Sequence, residues 1–250
     1  MLRGVYASAS GMLAGASSQR IISNNVANMN TPGHRAEYPT LSPFGALFLQ
    51  RTDAGGAAGG FPVGYTNAGT RVSGIHISDA AGRIHATGGQ ADLALDGPGY
   101  FVLEGDQGTV LTRNGRFMVD ADGYLASAEG HRLTSTTGLL QVGDGSFTVK
   151  EDGMVYAGEQ AVGQIAAVDP DPGLLQPLES GLFRVSEPVD TGGGPGVTNV
   201  LQGFLELSNA DMVTEITRLM AAQRGYQANH TAFGVQDRTL DETLRLPEGV

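Results

Sequence analysis

The amino-acid sequence predicts a mainly β central domain, antiparallel and barrel- or sandwich-like, between long N- and C-terminal α-helices that form a coiled-coil-like domain. Apolar residues recur with helical spacing at both ends, and short strand-like runs alternate with turn signals in the middle. The 38 glycines, about twice the average usage and without a collagen period, indicate many tight turns. We divide the chain into an N-terminal helix of the inner domain (1–33), an extended, Gly-rich connector (34–74), the β domain (75–200) and a C-terminal helix of the inner domain (201–250).

The first segment has the pattern of an amphipathic helix. Apolar or small residues follow alternating steps of four and three, at Leu2, Tyr6, Ala9, Leu13 and Ala16. The triplet Thr31-Pro32-Gly33 ends the helix, because proline cannot continue it and glycine accepts a positive φ. The periodicity fits a helix that pairs with another helix, and it fits equally an ordinary amphipathic helix packed on its own domain.

A second helix is predicted from Asn209 to Leu244, where Ser208 and Asp211 resemble a capping box. An apolar residue then recurs every seven positions, at Met212, Leu219, Tyr226, Phe233 and Leu240. The companion row is apolar at its ends and polar between them: Ile216, Gln223, His230, Asp237 and Leu244. Polar seam positions weaken a coiled coil but select register and partner number, so we expect this helix to order against several neighbours. The alternative is a long solvated helix on its own β domain.

The middle of the chain is predicted to be an antiparallel meander or barrel. Strand-like runs between Tyr100 and Thr134 alternate with turn signals about every nine residues, and Asn114-Gly115 is the strongest two-residue hairpin signal among them. The pattern returns around the turn Glu151-Asp152-Gly153. The low-complexity stretch 54–60 is expected to be flexible, and 191–196 to be a loop leading out of the domain.

Composition excludes several classes of partner. The formal net charge is −11, and Lys150 is the only lysine among 15 basic residues, so no basic stripe is present for nucleic acid or an anionic membrane surface. No window approaches the roughly 18 apolar residues of a membrane span, so we expect no membrane insertion. The absence of cysteine removes disulfides and thiolate sites. The first 22 residues lack the apolar stretch of a cleaved signal peptide.

The sequence offers no convincing catalytic, cofactor or metal site. The five histidines never recur at the spacing that puts two ligands on one helix face. Residues 120–123 resemble the start of a calcium loop, but the later acidic ligand is missing, so a turn is expected. The pair Asp92 and Asp96 could serve a wall-associated hydrolase, although the chain has no Trp for a sugar platform. We therefore expect a protein that is not an enzyme.

Four blocks of sequence, in order, resemble the bacterial flagellar basal-body rod and hook protein family over nearly the whole chain. They are SGM (10–12) with NNVANMNTPG (24–33); LALDGPGYF (93–101); TRNGRF (112–117) with DGYL (122–125); and QGFLELSNAD (202–211) with AQRGYQAN (222–229). The last two strings are most similar to distal rod members of the family, with the proximal rod members as the alternative.

The resemblance implies a structural subunit of the basal-body rod, the axial drive shaft that transmits torque from motor to hook. It implies export through the flagellar type III apparatus, location in the basal body, and self-assembly with other rod and hook subunits into a tube with helices inside. A capping or export factor that is not retained is a further alternative. The residues expected at the assembly interface are Tyr6, Leu13, Asn24, Asn25, Asn28, Met212, Ile216, Leu219, Tyr226 and Phe233.

Overall fold

The chain divides into two units, each assembled from segments that are distant in the sequence. In the computed structural model, the helical unit contains Met1–Val26, Glu37–His76 and Met212–Val250, and the β unit contains Ala27–Ala36 and Ile77–Asp211. The structure describes residues 2–51, 61–67, 69–105, 108–143, 145–178, 181–185 and 199–245. The predicted flexible stretch 54–60, residues 106 and 107 of a further predicted turn and the predicted loop 191–196 lie outside these ranges.

The helical unit is built on two antiparallel helices, α1 (Leu2–Ala27) and α2 (Met212–Arg245). Glycines of α1 lie opposite larger side chains of α2: Gly4 opposite Gln236, Gly11 opposite Asn229 and Gly15 opposite Tyr226. A Cβ atom at Gly11 would lie 2.7 Å from Nδ2 of the Asn229 side chain, so the glycine leaves room for this side chain on the face of α1 toward α2. Small residues on one helix therefore set the spacing of the pair.

Two small antiparallel ribbons complete the helical unit. Strand β1 (Glu37–Pro43) pairs with β4 (Thr70–Ile77), and β2 (Ala46–Arg51) pairs with β3 (Phe61–Asn67). Phe48 and Tyr65 face each other across the second ribbon with ring centroids 5.3 Å apart.

The β unit contains sixteen further strands in the described ranges, joined by antiparallel pairing. Seven of them form the path β17-β18-β8-β7-β11-β10-β9, to which β12 adds at β11 and β16 adds at β7. Three more form the sheet β13-β14-β15, and two long-range pairs are β19-β6 and β20-β5. The bounds are β5 Ile84–Ala86, β6 Leu93–Asp96, β7 Tyr100–Gly105, β8 Gly108–Thr112, β9 Met118–Val119, β10 Leu125–Ala126, β11 Arg132–Ser135, β12 Gly138–Leu139, β13 Phe147–Val149, β14 Met154–Ala157, β15 Gln160–Gln164, β16 Ala167–Val168, β17 Leu175–Pro177, β18 Leu182–Val185, β19 Asn199–Gln202 and β20 Phe204–Glu206, with a 3-10 turn at Pro172–Leu174.

One apolar core lies beneath the central strands of the β unit. Phe101 and Leu103 of β7 are buried with Leu133 of β11, and Phe117 packs edge-on against Phe101 at 5.3 Å between ring centroids. Leu93 of β6 and Val200 of β19 join the same cluster. Residues from the start and the end of this unit thus share one core.

The antiparallel β middle and the two terminal helices are confirmed, and so are most of the predicted turns. Residues 120–123 join β9 to β10, and 151–153 join β13 to β14, with Gly123 and Gly153 at positive φ. The hairpin predicted at Asn114-Gly115 is wrong, because β8 pairs with β7 and β18 instead. The carbonyl of Gly115 accepts a hydrogen bond from Leu93 N at 2.9 Å, and a Cβ at this glycine would overlap Leu93. Close approach of two backbones, and not a positive φ, requires glycine here.

The C-terminal helix begins three residues later than predicted. Asn209 precedes it and bridges two segments of the β unit: its Oδ1 accepts from Ala36 N at 2.7 Å and its Nδ2 donates to Ala80 O at 2.6 Å. Residues 199–206, which overlap the start of the segment 201–250, form β19 and β20. Neither α1 nor α2 has an apolar stretch able to cross a membrane.

Candidate assembly interface

Asn25, near the end of α1, fixes the chain that follows the first helix. Its Nδ2 donates to Glu37 O at 2.8 Å and its Oδ1 accepts from Glu37 N at 2.9 Å, so the side chain pairs with β1 as a neighbouring strand would. The same Nδ2 lies 3.1 Å from Glu215 Oε2 on α2. Asn25 is fully buried and therefore joins α1, β1 and α2 within the helical unit.

Glu215 is a buried carboxylate at the start of α2. It is 1% exposed, and besides Asn25 it accepts a hydrogen bond from Arg218 Nη1 at 2.7 Å. The Arg218 guanidinium lies 4.4 Å above the centroid of the Tyr38 ring. This charged group stands on the face of α2 that contacts α1, one residue before the predicted seam residue Ile216.

Of the two rows predicted on α2, the first is mostly half-buried and the companion row is mostly exposed. Leu219, Phe233 and Leu240 are half-buried as the first row requires, while Tyr226 and Met212 keep more of their surface exposed. Of the companion row only Ile216 is half-buried, and Gln223, His230, Asp237 and Leu244 are exposed. The contacting row lies one residue earlier, at Glu215, Ala222, Asn229 and Gln236.

Two of the predicted interface residues lie on the opposite side of α1 from α2. Tyr6 and Leu13 are 67% and 74% exposed. Leu13 is nine residues from Gly4, which is half a turn around the helix at about 100° per residue. Both line an apolar groove of about 400 Å³ whose other wall includes Phe44 and Val72. They form an open apolar surface on the isolated chain.

An exposed flank of α2, beside the row that contacts α1, carries the opposite feature, a row of small residues. Ala221, Gly225, Ala228 and Ala232 follow the four-three-four spacing of one helix face, and all are exposed. No atom lies within 4 Å of a Cβ placed at Gly225, so the contacts of the single chain do not require glycine there. Glycine within a helix costs about 1 kcal/mol relative to alanine, which makes this residue costly in the monomer.

Asn28 and Asn24 lie where α1 gives way to the β unit. Asn28 O accepts from Thr31 N at 3.0 Å, and Asn28 Oδ1 accepts from Thr31 Oγ1 at 3.3 Å, which forms the turn after the helix. Asn24 is exposed.

A buried ion-pair network joins all four sequence blocks within the β unit, and sequence reasoning missed it. Arg113 of the third block pairs with Glu206 of the fourth, and it donates to the carbonyls of Leu95, Gly97 and Gly99 in the second. Glu206 is 3% exposed and also accepts from Gly82 N at 2.7 Å. The signal in the sequence is a charge next to apolar residues in each of two blocks: Arg113 follows Val110-Leu111-Thr112, and Glu206 stands between Leu205 and Leu207.

The first block completes this network. Gly33 N donates to Glu206 O at 2.8 Å, and Arg35 Nη2 lies 3.2 Å from Glu206 Oε1. Gly33 has φ +68°, and a Cβ there would overlap the backbone of Arg113. The Thr31-Pro32-Gly33 sequence therefore does more than end a helix, since it fits into the β unit where only glycine can pass.

Burial or hydrogen bonding shifts the pKa values of several groups. Burial raises the pKa of the Glu37 carboxyl above its usual range. Burial raises the pKa of the Tyr100 phenol, with Arg35 and Arg113 acting in the opposite direction. The backbone hydrogen bond from Tyr124 is the main cause that lowers the pKa of Asp120, which belongs to the turn before β10. No three histidine or acidic side chains of the described ranges come together as a metal site.

Three family models match successive parts of the chain. Residues 5–35 match "Flagella basal body rod protein", residues 94–157 match "Flagellar hook protein FlgE/F/G D1 domain", and residues 201–246 match "Flagellar basal body rod FlgEFG protein C-terminal". These segments contain Gly33, Arg113 and Glu206, and they contain α2 and all of α1 except its first three residues.

Whole-length relatives agree with these matches. The chain is 34% identical to the flagellar basal-body rod protein FlgG of Bacillus subtilis, over 98% of this chain and 99% of that protein. It is 32% identical to the rod protein FlgF of Mesorhizobium japonicum over 90% of this chain, and 28% identical to FlgG of Caulobacter vibrioides over 98%. The sequence blocks, the helix pair and the similarity over nearly the full length lead to one conclusion: the chain belongs to the flagellar basal-body rod protein family.

Proposed function

We propose that this chain polymerises as a structural subunit of the flagellar basal-body rod and forms part of the shaft that transmits torque from motor to hook. It works in the basal body and assembles with rod and hook subunits. Relatives named FlgG that align with 98% of the chain favour a distal rod position. A relative named FlgF that aligns with 90% keeps the proximal position as the second candidate. The alternative of a wall-associated hydrolase loses its support, because the relatives are structural rod proteins.

The observation that carries the proposal is the match between two open faces of the helical unit. Within one chain, small residues of α1 contact larger residues of α2. On the exposed faces the large residues belong to α1 and the small ones to α2. Tyr6 and Leu13 of α1 are seven residues apart, and so are Gly225 and Ala232 of α2. Bulky side chains of one subunit can enter the small-residue row of the next, as knobs enter holes in a coiled coil.

Such a contact joins two different surfaces and leaves one of each free on every subunit. Repeated contacts of this kind build an open helical assembly instead of a closed dimer. Burying Leu13, now mostly exposed, contributes about 2 kcal/mol per contact. We propose that the helical pair is coiled-coil-like in the rod, as the inner domain, and that the β domain (75–200) is barrel- or sandwich-like and makes the lateral contacts outside it, with the connector 34–74 between.

The expected interface residues divide into two roles under this proposal. Tyr6 and Leu13 contact the neighbouring subunit, while Asn25, Ile216, Leu219 and Phe233 hold the helix pair of one subunit together. Asn24, Met212 and Tyr226 lie at the exposed edges of that pair, and Asn28 shapes the turn that follows α1. We further propose that the chain reaches the rod through the flagellar type III export apparatus.

The test uses two glycines of α2 that face opposite ways. Gly225 and Gly234 are nine residues apart, half a turn around the helix, and a Cβ is unobstructed at both. Leucine at either position should stabilise the helix by up to about 1 kcal/mol. Only Gly225→Leu fills the small-residue row, so only this variant should stop rod assembly, measured by motility and by electron microscopy of basal bodies from a deletion strain expressing it.

A second pair of variants examines the other face. Leu13→Asp should abolish assembly without unfolding the chain, while Ala16→Asp, exposed on the same helix but outside the groove, should be tolerated. Normal rods with both Gly225→Leu and Leu13→Asp would show that these faces are not the assembly surfaces. In the deletion strain, a rod that stops just before the hook supports the distal position, and a stub nearer the membrane supports the proximal one.

A further inference from the structure

The β unit contains a polar cleft that the assembly of helices does not use. Its volume is about 480 Å³, and its lining comprises Arg35, Asp79, residues 98–100 and residues 169–171. Asp79, Asp169 and Asp171 are exposed at its edge. The cleft therefore has an acidic rim around a mostly buried floor.

Tyr100 supplies a polar group to this floor without a partner. The residue is 7% exposed, and its ring packs edge-on against Phe183 with centroids 5.3 Å apart. Its hydroxyl makes no hydrogen bond to any described residue. Arg35, also buried and also lining the cleft, carries an Nε atom that lacks a hydrogen-bond partner in the described chain. The Tyr100 hydroxyl is therefore the polar group that this largely buried floor offers to an occupant of the cleft, whereas Arg35 Nε is enclosed by the chain.

The charges around the cleft leave an excess of negative charge. Glu206 pairs with both Arg35 and Arg113, so this network carries one net positive charge. The three carboxylates Asp79, Asp169 and Asp171 line the same cleft, so the sum of these charges is about −2. One oxygen of Asp171 accepts from Gly173 N at 2.9 Å, which leaves its other oxygen for the cleft. A cationic group is the occupant that this arrangement stabilises.

We infer that the cleft binds an arginine side chain of a second copy of this chain, which rests on the proposed function. Guanidinium can donate to two carboxylates and to the Tyr100 oxygen at once. Subunits with a net charge of −11 repel one another, so their contacts need matched opposite charges. Lys150 is the single lysine of the chain, which leaves arginine as the cation that copies can supply.

Two arginines of the β unit are suited to occupy the cleft of a neighbour. Arg83 and Arg116 are exposed, and neither forms an ion pair with a described residue. The other basic side chains described in this unit that form ion pairs, Arg35, Arg113 and Arg132, are held within their own subunit. Arg184 is also exposed, but it already has an interaction within its own chain, so we assign the occupant to Arg83 or Arg116 of the second copy.

Polymerisation of the purified full-length chain, followed by sedimentation against protein concentration, tests the site. The double variant Asp169→Asn with Asp171→Asn removes two charges but keeps the oxygen that accepts from Gly173 N. It should raise the critical protein concentration for polymerisation about tenfold at low salt, and by less at high salt. The matched control, Glu129→Gln with Glu159→Gln, removes two exposed charges elsewhere in the β unit and should leave it unchanged. Asp171→Arg should block assembly, and Arg83→Asp or Arg116→Asp should restore it.

A binding measurement separates this inference from the proposed function. N-acetyl-arginine amide, titrated into the monomer and followed by NMR, should shift the amides of residues 99–100 and 169–171 in a saturable way that the double Asp→Asn variant loses. Equal critical concentrations for the wild type and that variant, or no shift with the probe, would overturn the inference while rods still form. Probe binding with no effect on assembly would assign the cleft to a soluble guanidinium compound and also overturn it. A wild-type chain that never polymerises would instead contradict the proposed function.

Discussion

Replacing Glu206 by glutamine should strongly destabilise the β unit. The carboxylate is 3% exposed and accepts hydrogen bonds from two guanidinium groups and from Gly82 N. Glutamine keeps the shape but carries no charge, and its amide nitrogen would face N–H donors. Breaking a buried ion pair by removing one partner typically costs about 3–5 kcal/mol, because a charge is left without compensation. A domain has only about 5–15 kcal/mol of stability in total.

Urea denaturation followed by circular dichroism measures this loss. With a slope of about 2 kcal/mol per molar urea, a loss of about 4 kcal/mol lowers the midpoint of the β unit by about 2 M. Glu104→Gln is the matched control, since Glu104 is exposed on β7, and its midpoint should move little. A Glu206→Gln midpoint within about 0.5 M of this control, with the slope unchanged, would refute the role given to the network.

Three further changes have directions that the structure fixes. Gly33→Ala should destabilise the β unit by about 2 kcal/mol or more in the same assay, because φ is +68° and the new Cβ overlaps Arg113; no loss would mean that the backbone yields easily. Asn25→Ala should cost the helical unit about 2 kcal/mol, since it leaves the Glu37 backbone without its side-chain partner and removes one of the two hydrogen bonds to buried Glu215; unchanged α2 protection in hydrogen exchange would contradict this. Glu37→Gln should stabilise the helical unit at pH 7, because burial raises the pKa of Glu37 and the native state holds its charge at a cost. That advantage should shrink as pH falls through the raised pKa and vanish below about 4.5, the usual value, and an advantage that does not depend on pH would argue against burial as its cause.

The helix pair shows how far periodicity alone can lead. The row containing Leu219 and Phe233 was predictable from its seven-residue repeat, and both side chains are half-buried. The companion row was predicted one residue too late, because both candidate rows are polar in the middle and hydropathy cannot choose between them. The choice depends on Gly4 and Gly11 of α1, which admit Gln236 and Asn229, and such a contact is not visible in either helix alone.

The β unit shows a different limit. Turns that depend on a local positive φ, such as those at Gly123 and Gly153, were predictable because the signal lies in a few adjacent residues. Gly115 carries the same local signal but serves a backbone contact with Leu93, more than twenty residues away. The pairing of Arg113 with Glu206 spans 93 residues, so only the folded chain shows that these charges meet.

The pairing of the first strands of the β unit with the last ones sets the order in which this unit can form. Strands β5 and β6 pair with β20 and β19, over 100 residues later in the chain. Contacts with such large sequence separation make folding slow, because a long loop must close before they form. A chain delivered from its N-terminus would have to wait for its last strands before the sheet and the Glu206 network could close. The β unit of such a chain would stay incompletely folded during transport and would reach its native structure only after the last strands had emerged.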